Sequence, residues 1–207
     1  MNALQEVWIR PRKVFRELAD KPIGILDYLL SGVQGMVVVL ALGRAGNLGS
    51  KTGVAEIFVR AASQGMLIGI AIIWIQAWIY TWMGRRAGGQ ATRAQVLHVL
   101  SYGSVPMVGS LAIWCLAALL LGNHAFIETP GAETETFETF LNAIQIGGFA
   151  LLGLWSIVLQ IMGLSEVHRL RTGGAAGTWL LGQVISGFVL GIILVFVILL
   201  TGQLPQT

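Results

Sequence analysis

The sequence predicts an all-α polytopic integral membrane protein: a five-helix transmembrane bundle with a short amphipathic interfacial helix at its N-terminus and a kink in the third span. Three observations carry that expectation. Hydrophobic residues make up 55% of the 207 and charged residues only 11%, against about 25% charged in an ordinary soluble domain. Apolar runs of the length that crosses a bilayer, about 20 residues, occur five times. The basic residues crowd into alternate connections between those runs, the distribution that positive-inside topology produces.

The first 23 residues contain "VWIRPRKVFRELADKP", with Arg10, Arg12, Lys13, Arg16 and Lys21. A secretory signal would show a short apolar core and a small-residue cleavage site. Here a full-length apolar run follows a polar stretch, so no signal peptide is expected. Pro11 suits the first turn of a helix, where its missing donor costs nothing. From there Val14, Phe15 and Leu18 share one face while Arg12, Lys13 and Arg16 reach outward, and Trp8 and Ile9 add an aromatic and an apolar anchor. The pattern predicts a helix lying in the membrane interface, each basic residue contributing about 1 kcal/mol of attraction to an anionic leaflet.

The transmembrane domain is expected over 24–201, with spans near 24–43, 61–83, 96–121, 141–164 and 178–200, and a short outer tail at 202–207. The third span holds Pro106 in "LSYGSVPMVGS". Proline removes a backbone donor and clashes with the preceding turn, so a kink or break belongs there. Ahead of the fourth span, "AETETFETFLNAI" reads as a helix start, its acids favouring the N-terminal end and Phe137, Phe140, Leu141 and Ile144 sharing a face.

Orientation follows from the loops. Ten of the thirteen Lys and Arg residues fall on one side: the five N-terminal ones, Arg85, Arg86 and Arg93 after the second span, and Arg169 and Arg171 after the fourth. Arg44, Lys51 and Arg60, placed in the first loop, make up the other side. The rule puts the N-terminus in the cytoplasm and the C-terminus outside. The third loop, with four glutamates and no basic residue, fits the outer side. Since the net charge of +3 resides in topology-setting loops, it gives no reason to expect nucleic acid as a partner.

Within the bilayer, close packing and polar pairing must hold helices together. Ala61, Gly65 and Gly69, then Ser31 and Gly35, then Gly187 and Gly191 form small-residue stripes. Asp27, Ser31 and Gln34 line one face of the first span, Gln76 and Tyr80 the second, Ser156 and Gln160 the fourth. Asp27 is an ionisable group within a span and is a functional candidate on that ground; it lies within about a turn of the cytoplasmic edge, where water or a basic loop residue would satisfy it. Trp74, Trp78 and Trp82 form a further stripe, Trp82 interfacial and Trp74 deeper and packed.

No catalytic set is visible. Glu166 and His168 are two positions apart and diverge on a helix, a poor geometry for one metal. His98 and His124 fall on opposite sides. "AGGQATRA" has neither the lysine nor the preceding strand of a phosphate-cradling loop. The lone Cys115 supports neither a disulfide nor a cysteine metal site within one chain. No catalytic residue, metal or cofactor is expected.

Three segments together resemble the bacterial branch of the Yip1 domain family: "WIRPRKVFRELADKP", "GRRAGGQATRAQVLHVLSYGSVP" and "GLSEVHRLRTGGAAGTWLL". The resemblance spans nearly the whole chain and is anchored by Tyr102, Pro106, Glu166 and His168. It implies a cytoplasmic N-terminal segment, five spans, and a Tyr–Pro segment in the third. Eukaryotic members are associated with Rab GTPases and vesicle traffic; the long N-terminal region of those members has no counterpart in the 23 residues ahead of the first span. The expectation is a multi-pass protein of the bacterial inner membrane without enzymatic activity. Its basic cytoplasmic face, with Arg12, Lys13, Arg16, Arg85, Arg86 and Arg169, would engage anionic lipids, other membrane proteins or a second copy of the chain. A small transporter or channel with a polar path near the broken third span is the alternative. Trp8, Pro11, Asp27, Tyr102, Pro106, Glu166 and His168 are the residues on which either role would turn.

Overall fold

The computed structural model describes residues 3–127 and 136–201. The proposed tail at 202–207 and residues 128–135 of the glutamate-rich loop lie outside the described residues. Among the described residues every regular element is helical. Two short helices, α1 (Ala3–Ile9) and α2 (Pro11–Leu18), precede α3 (Ile25–Ala45). α4 (Val54–Arg60) runs through a π-helical turn, Ala61–Gly65, into α5 (Met66–Arg86). α6 (Arg93–Gly103) and α7 (Val105–Leu121) are the two halves of the third crossing, and α8 (Thr136–His168) and α9 (Thr172–Thr201) complete the bundle.

Among the described residues, five stretches are long and apolar enough to cross a membrane: Ile25–Ala45, Val54–Arg86, Arg93–Phe126, Phe137–His168 and Thr172–Ile192. Several exceed the expected runs. At 1.5 Å per residue, the 33 residues of α8 measure about 50 Å, well beyond a hydrocarbon core of about 30 Å. Large apolar side chains face outward along the bundle, Leu119 (81% exposed), Leu154 and Phe188 among them. Phe137, Phe140 and Ile144 are likewise exposed, as a lipid-facing stripe would be.

The third crossing breaks where proline forces it. α6 ends at Gly103, Ser104 links, and Pro106 occupies the first turn of α7, where its lack of an N–H is harmless. The next exposed donor, Met107 N–H, is met by Ser156 Oγ of α8 at 3.1 Å. Gln160, one turn along α8, accepts from Trp179 Nε1 at 2.9 Å. On the far side, Tyr80 Oη donates to Gln183 Oε1 at 2.8 Å. The polar stripes of the second and fourth spans are therefore spent on neighbouring helices.

The stripe of small residues on α5 packs on α3 at backbone distance. A Cβ added at Gly35 would meet Gly65 O and lie 2.6 Å from Gly69 Cα, and one at Gly65 would lie 2.7 Å from Met36 Cα. The π-helical turn carries Gly65 into this contact. Gly187 and Gly191 differ from expectation: a Cβ at either meets open space, so this pair is not packed within the chain. Trp74 packs while staying partly open. It is 44% exposed and stacks on Tyr28 with centroids 6.5 Å apart.

Two apolar cores occupy opposite ends of the bundle. One joins Val7, Phe15, Tyr80, Leu97, Leu159 and Leu164; the other joins Val37, Leu40, Ile57, Trp114 and Phe126.

Candidate functional site

The chemistry-bearing residues gather at the end of the bundle that carries the N-terminal helices. α2 starts at Pro11, and Val14, Phe15 and Leu18 are buried on its inner face. Protein covers that face. Gly163 of α8 leaves room for the Phe15 ring, since a Cβ there would approach Phe15 Cδ2 to 3.0 Å and Val99 Cγ1 to 2.6 Å. Arg16 and Glu166 form an ion pair at 2.8 Å, and Gln95 Nε2 donates to Ala19 O at 3.2 Å. An exposed pair of this kind contributes no more than about 1 kcal/mol, so burial of Phe15, not the salt bridge, holds the helix down. Trp8 and Ile9 of α1 remain the exposed apolar groups beside it.

Around this docked pair of helices, Arg10, Arg12, Lys13, Arg16, Lys21, Arg85, Arg86, Arg93, Arg169 and Arg171 are all exposed. Lys13 bonds Glu6 at 3.2 Å and lies 3.6 Å from Glu17; the hydrogen bond and charge of Glu6 raise its ammonium above the ordinary lysine range, with Glu17 adding to the effect. Arg86 lies over the Trp82 ring at 4.9 Å, a cation–π contact. Arg169 turns the chain between α8 and α9 with φ of 57°, and Leu170 N–H closes the turn on Ser165 O at 3.1 Å, the bond pattern of a Schellman cap.

Glu166 and His168 diverge, as their spacing predicts. Glu166 faces Arg16, whereas His168 is fully buried against the α5–α6 connection. Gly84 and Gly89 provide the space: a Cβ at Gly84 would run into the imidazole, and one at Gly89 would lie 2.5 Å from Nδ1. Ala91 N–H donates to His168 Nδ1 at 3.3 Å, and Gln90 N–H donates to His168 O at 3.3 Å. The glycine-rich loop and the "EVH" segment, far apart in sequence, are thus one joint.

Asp27 is 2% exposed, and its side-chain partner is a histidine of the third span, not a basic loop residue. Oδ1 lies 2.7 Å from His98 Nδ1 on the third span, and Oδ2 accepts from Gly24 N–H at 2.9 Å. His98 Nε2 lies 3.1 Å from Lys21 O. A carbonyl only accepts, so Nε2 carries a proton. A second proton sits between Nδ1 and Oδ1, making the pair neutral as a whole. One imidazole therefore ties the N-terminal connection, α3 and α6 together. Ser31 Oγ lies 3.2 Å from Ser101 Oγ beside it, and Tyr102, 6% exposed, meets the His98 ring edge-on with centroids 6.4 Å apart. Pro106 stands one turn beyond.

The structure thus joins Asp27 to Tyr102 through His98, and Pro11's helix to Glu166 through Arg16, while Trp8 and His168 stand apart. The sequence sets His98 apart from His124 but does not give Asp27 as its partner, because nothing in the chain marks residues 71 positions apart as partners. Its pattern also places Arg44 in a loop. Arg44 lies in the last turn of α3 and is 8% exposed.

Comparison with known proteins fits this arrangement. No curated protein and no solved structure matches the chain. The Yip1 domain matches residues 6–200, a stretch that takes in the docked α2, the Asp27–His98 pair, the broken third crossing and the His168 joint. The chain belongs to the Yip1 domain family.

Proposed function

We propose that this protein is a non-enzymatic organiser of the bacterial inner membrane, holding anionic lipid headgroups or acidic membrane-protein partners on a basic cytoplasmic face. The observation that carries this reading is the set of ten exposed basic side chains at one end of the bundle, with Trp8 and Ile9 among them. Such a surface attracts an anionic leaflet by charge and enters its interface with aromatic and apolar groups. A half-open cavity of about 320 Å³, lined by Phe15, Arg16, Gln95 and Glu166 among others, adds a recess at the seam between α2 and α8. The polar side chains of the second and fourth spans support a scaffold, because Gln76 and Tyr80 bond Gln183 and Gln160 bonds Trp179 on the last helix.

Full-length protein extracted from mixed phosphatidylcholine and phosphatidylglycerol proteoliposomes should retain the anionic lipid preferentially. The double substitution Arg10→Gln/Arg12→Gln should lower that preference about thirtyfold, at roughly 1 kcal/mol per charge, and added salt should weaken it further. An unchanged lipid ratio would remove the basis for the proposal. A second reading, a small transporter, draws on the break at Ser104 lying near the buried Asp27–His98 pair. Proton or solute flux through the same vesicles, above that of protein-free ones, would establish it instead.

A further inference from the structure

The recess between α2 and α8 carries chemistry that a purely basic face would not need. Its cavity of about 320 Å³ is lined by charges of both signs, Arg16, Asp20, Glu166 and Arg169, beside apolar Phe15 and Val167. Two of the four are spent on each other: Arg16 Nε and Nη2 both reach Glu166 Oε1 at 2.8 Å. Among the described residues Glu166 Oε2 accepts nothing, and neither Asp20 nor Arg169 has a side-chain partner. Asp20 is the exception among the acids of the N-terminal segment, because Glu6 and Glu17 are both taken by Lys13.

The fold keeps the two unpaired charges of this cavity apart. Asp20 follows the end of α2, whereas Arg169 sits in the left-handed turn after α8. Glycine or asparagine is the ordinary occupant of such a turn, since a side chain there crowds its own backbone. Solvation at the rim accounts for exposed cations such as Arg12. It does not account for an arginine in a glycine position that shares a cavity with an unpaired carboxylate. The four charges sum to zero, so a purely anionic group gains no net attraction here. Phe15 packs on Gly163, just inside the end of the fourth span at His168, which sets the recess where hydrocarbon gives way to headgroups.

We infer that this recess binds a zwitterion carrying a primary ammonium a few bonds from a phosphate, the headgroup chemistry of phosphatidylethanolamine. The ammonium donates to Asp20 and to Glu166 Oε2, and the phosphate accepts from Arg169. A choline headgroup has no N–H to donate, and a glycerol headgroup brings hydroxyls without the positive charge. The inference rests on the scaffold reading in one respect, that this end of the bundle meets a leaflet, and it names the headgroup that the recess selects.

Native mass spectrometry of the full chain in mild detergent tests it, with dioleoyl phosphatidylethanolamine, phosphatidylcholine and phosphatidylglycerol added separately at equal concentration. The wild type should retain the ethanolamine lipid about tenfold more strongly than the choline lipid. Asp20→Asn keeps the shape and removes the charge, and should bring the ethanolamine lipid down to the level of the choline lipid. Arg169→Gln removes the partner of the phosphate and should weaken both lipids alike, about tenfold. Both side chains are exposed and bond nothing, so wild-type thermal midpoints should accompany these losses. Arg10→Gln/Arg12→Gln should lower retention of phosphatidylglycerol and leave the ethanolamine preference in place, which separates this site from the basic face as a whole. Displacement by soluble glycerophosphoethanolamine would assign the recess to a water-borne ligand of the same chemistry; a lipid that stays bound assigns it to the bilayer. Equal retention of the ethanolamine and choline lipids by the wild type, or an undiminished preference in Asp20→Asn, overturns the inference.

Discussion

His98→Ala should destabilise the protein by about 3–5 kcal/mol, the range found when one member of a buried charged pair is removed and the other is left uncompensated. Asp27 would keep only Gly24 N–H as a partner, inside a site that excludes water. At roughly 2–4 °C per kcal/mol for a chain of this size, the thermal midpoint in detergent should fall on the order of 10 °C. Asp27→Ala should be milder, since the remaining imidazole can stay neutral and keep its bond to Lys21 O; about 1–3 kcal/mol covers the lost hydrogen bond. Midpoints from size-exclusion chromatography after a heating series measure both. A shift below 2 °C for His98→Ala would mean that Asp27 is solvated and the pair does not tie the three segments together.

Gly35→Val should be worse. Its side chain would have to occupy space held by Gly65 O and Gly69 Cα, and backbone cannot move aside as a flexible side chain does. Overpacking in an adaptable core costs about 1–3 kcal/mol; forcing two helix backbones apart along the α3–α5 seam should exceed 3 kcal/mol. The measurement is the yield of monodisperse protein after extraction, expected to fall to a small fraction of wild type. Gly187→Val is the matched control, because open space surrounds that position, and its yield should equal that of the wild type. Equal yields for both variants would contradict the close approach of α3 and α5.

What could be read in the sequence, and what could not, divides along the range of the physical force involved. Spans are legible because lipid demands about 20 apolar residues in succession, a purely local requirement. The break is legible for the same reason, since Pro106 disrupts its own helix whatever surrounds it. The inner face of α2 was visible in the spacing of Val14, Phe15 and Leu18, but what covers it was not. Phe15 is received by Gly163, 148 positions on, and no local pattern reports that vacancy. Arg44 illustrates a subtler failure. "GRAGN" looks like loop because glycine and asparagine end helices, and they do so here: Gly46 caps α3 and Asn47 takes the left-handed conformation with φ of 51°. Arg44 stands just before those signals and belongs to the helix. "AGGQATRA" is glycine-rich without being a phosphate cradle; its Gly89, with Gly84 just before it, admits the His168 ring.

The central claim is that the basic end, with α2 docked on α8, faces the cytoplasm. Single-cysteine labelling tests it most directly. In a background with the free Cys115 replaced by alanine, Glu17→Cys reports the basic end and Lys51→Cys the opposite end, both positions being exposed. A membrane-impermeant maleimide added to intact cells should label Lys51→Cys and should reach Glu17→Cys only after permeabilisation. Labelling of Glu17→Cys in intact cells, with Lys51→Cys protected, would reverse the sidedness and contradict the account.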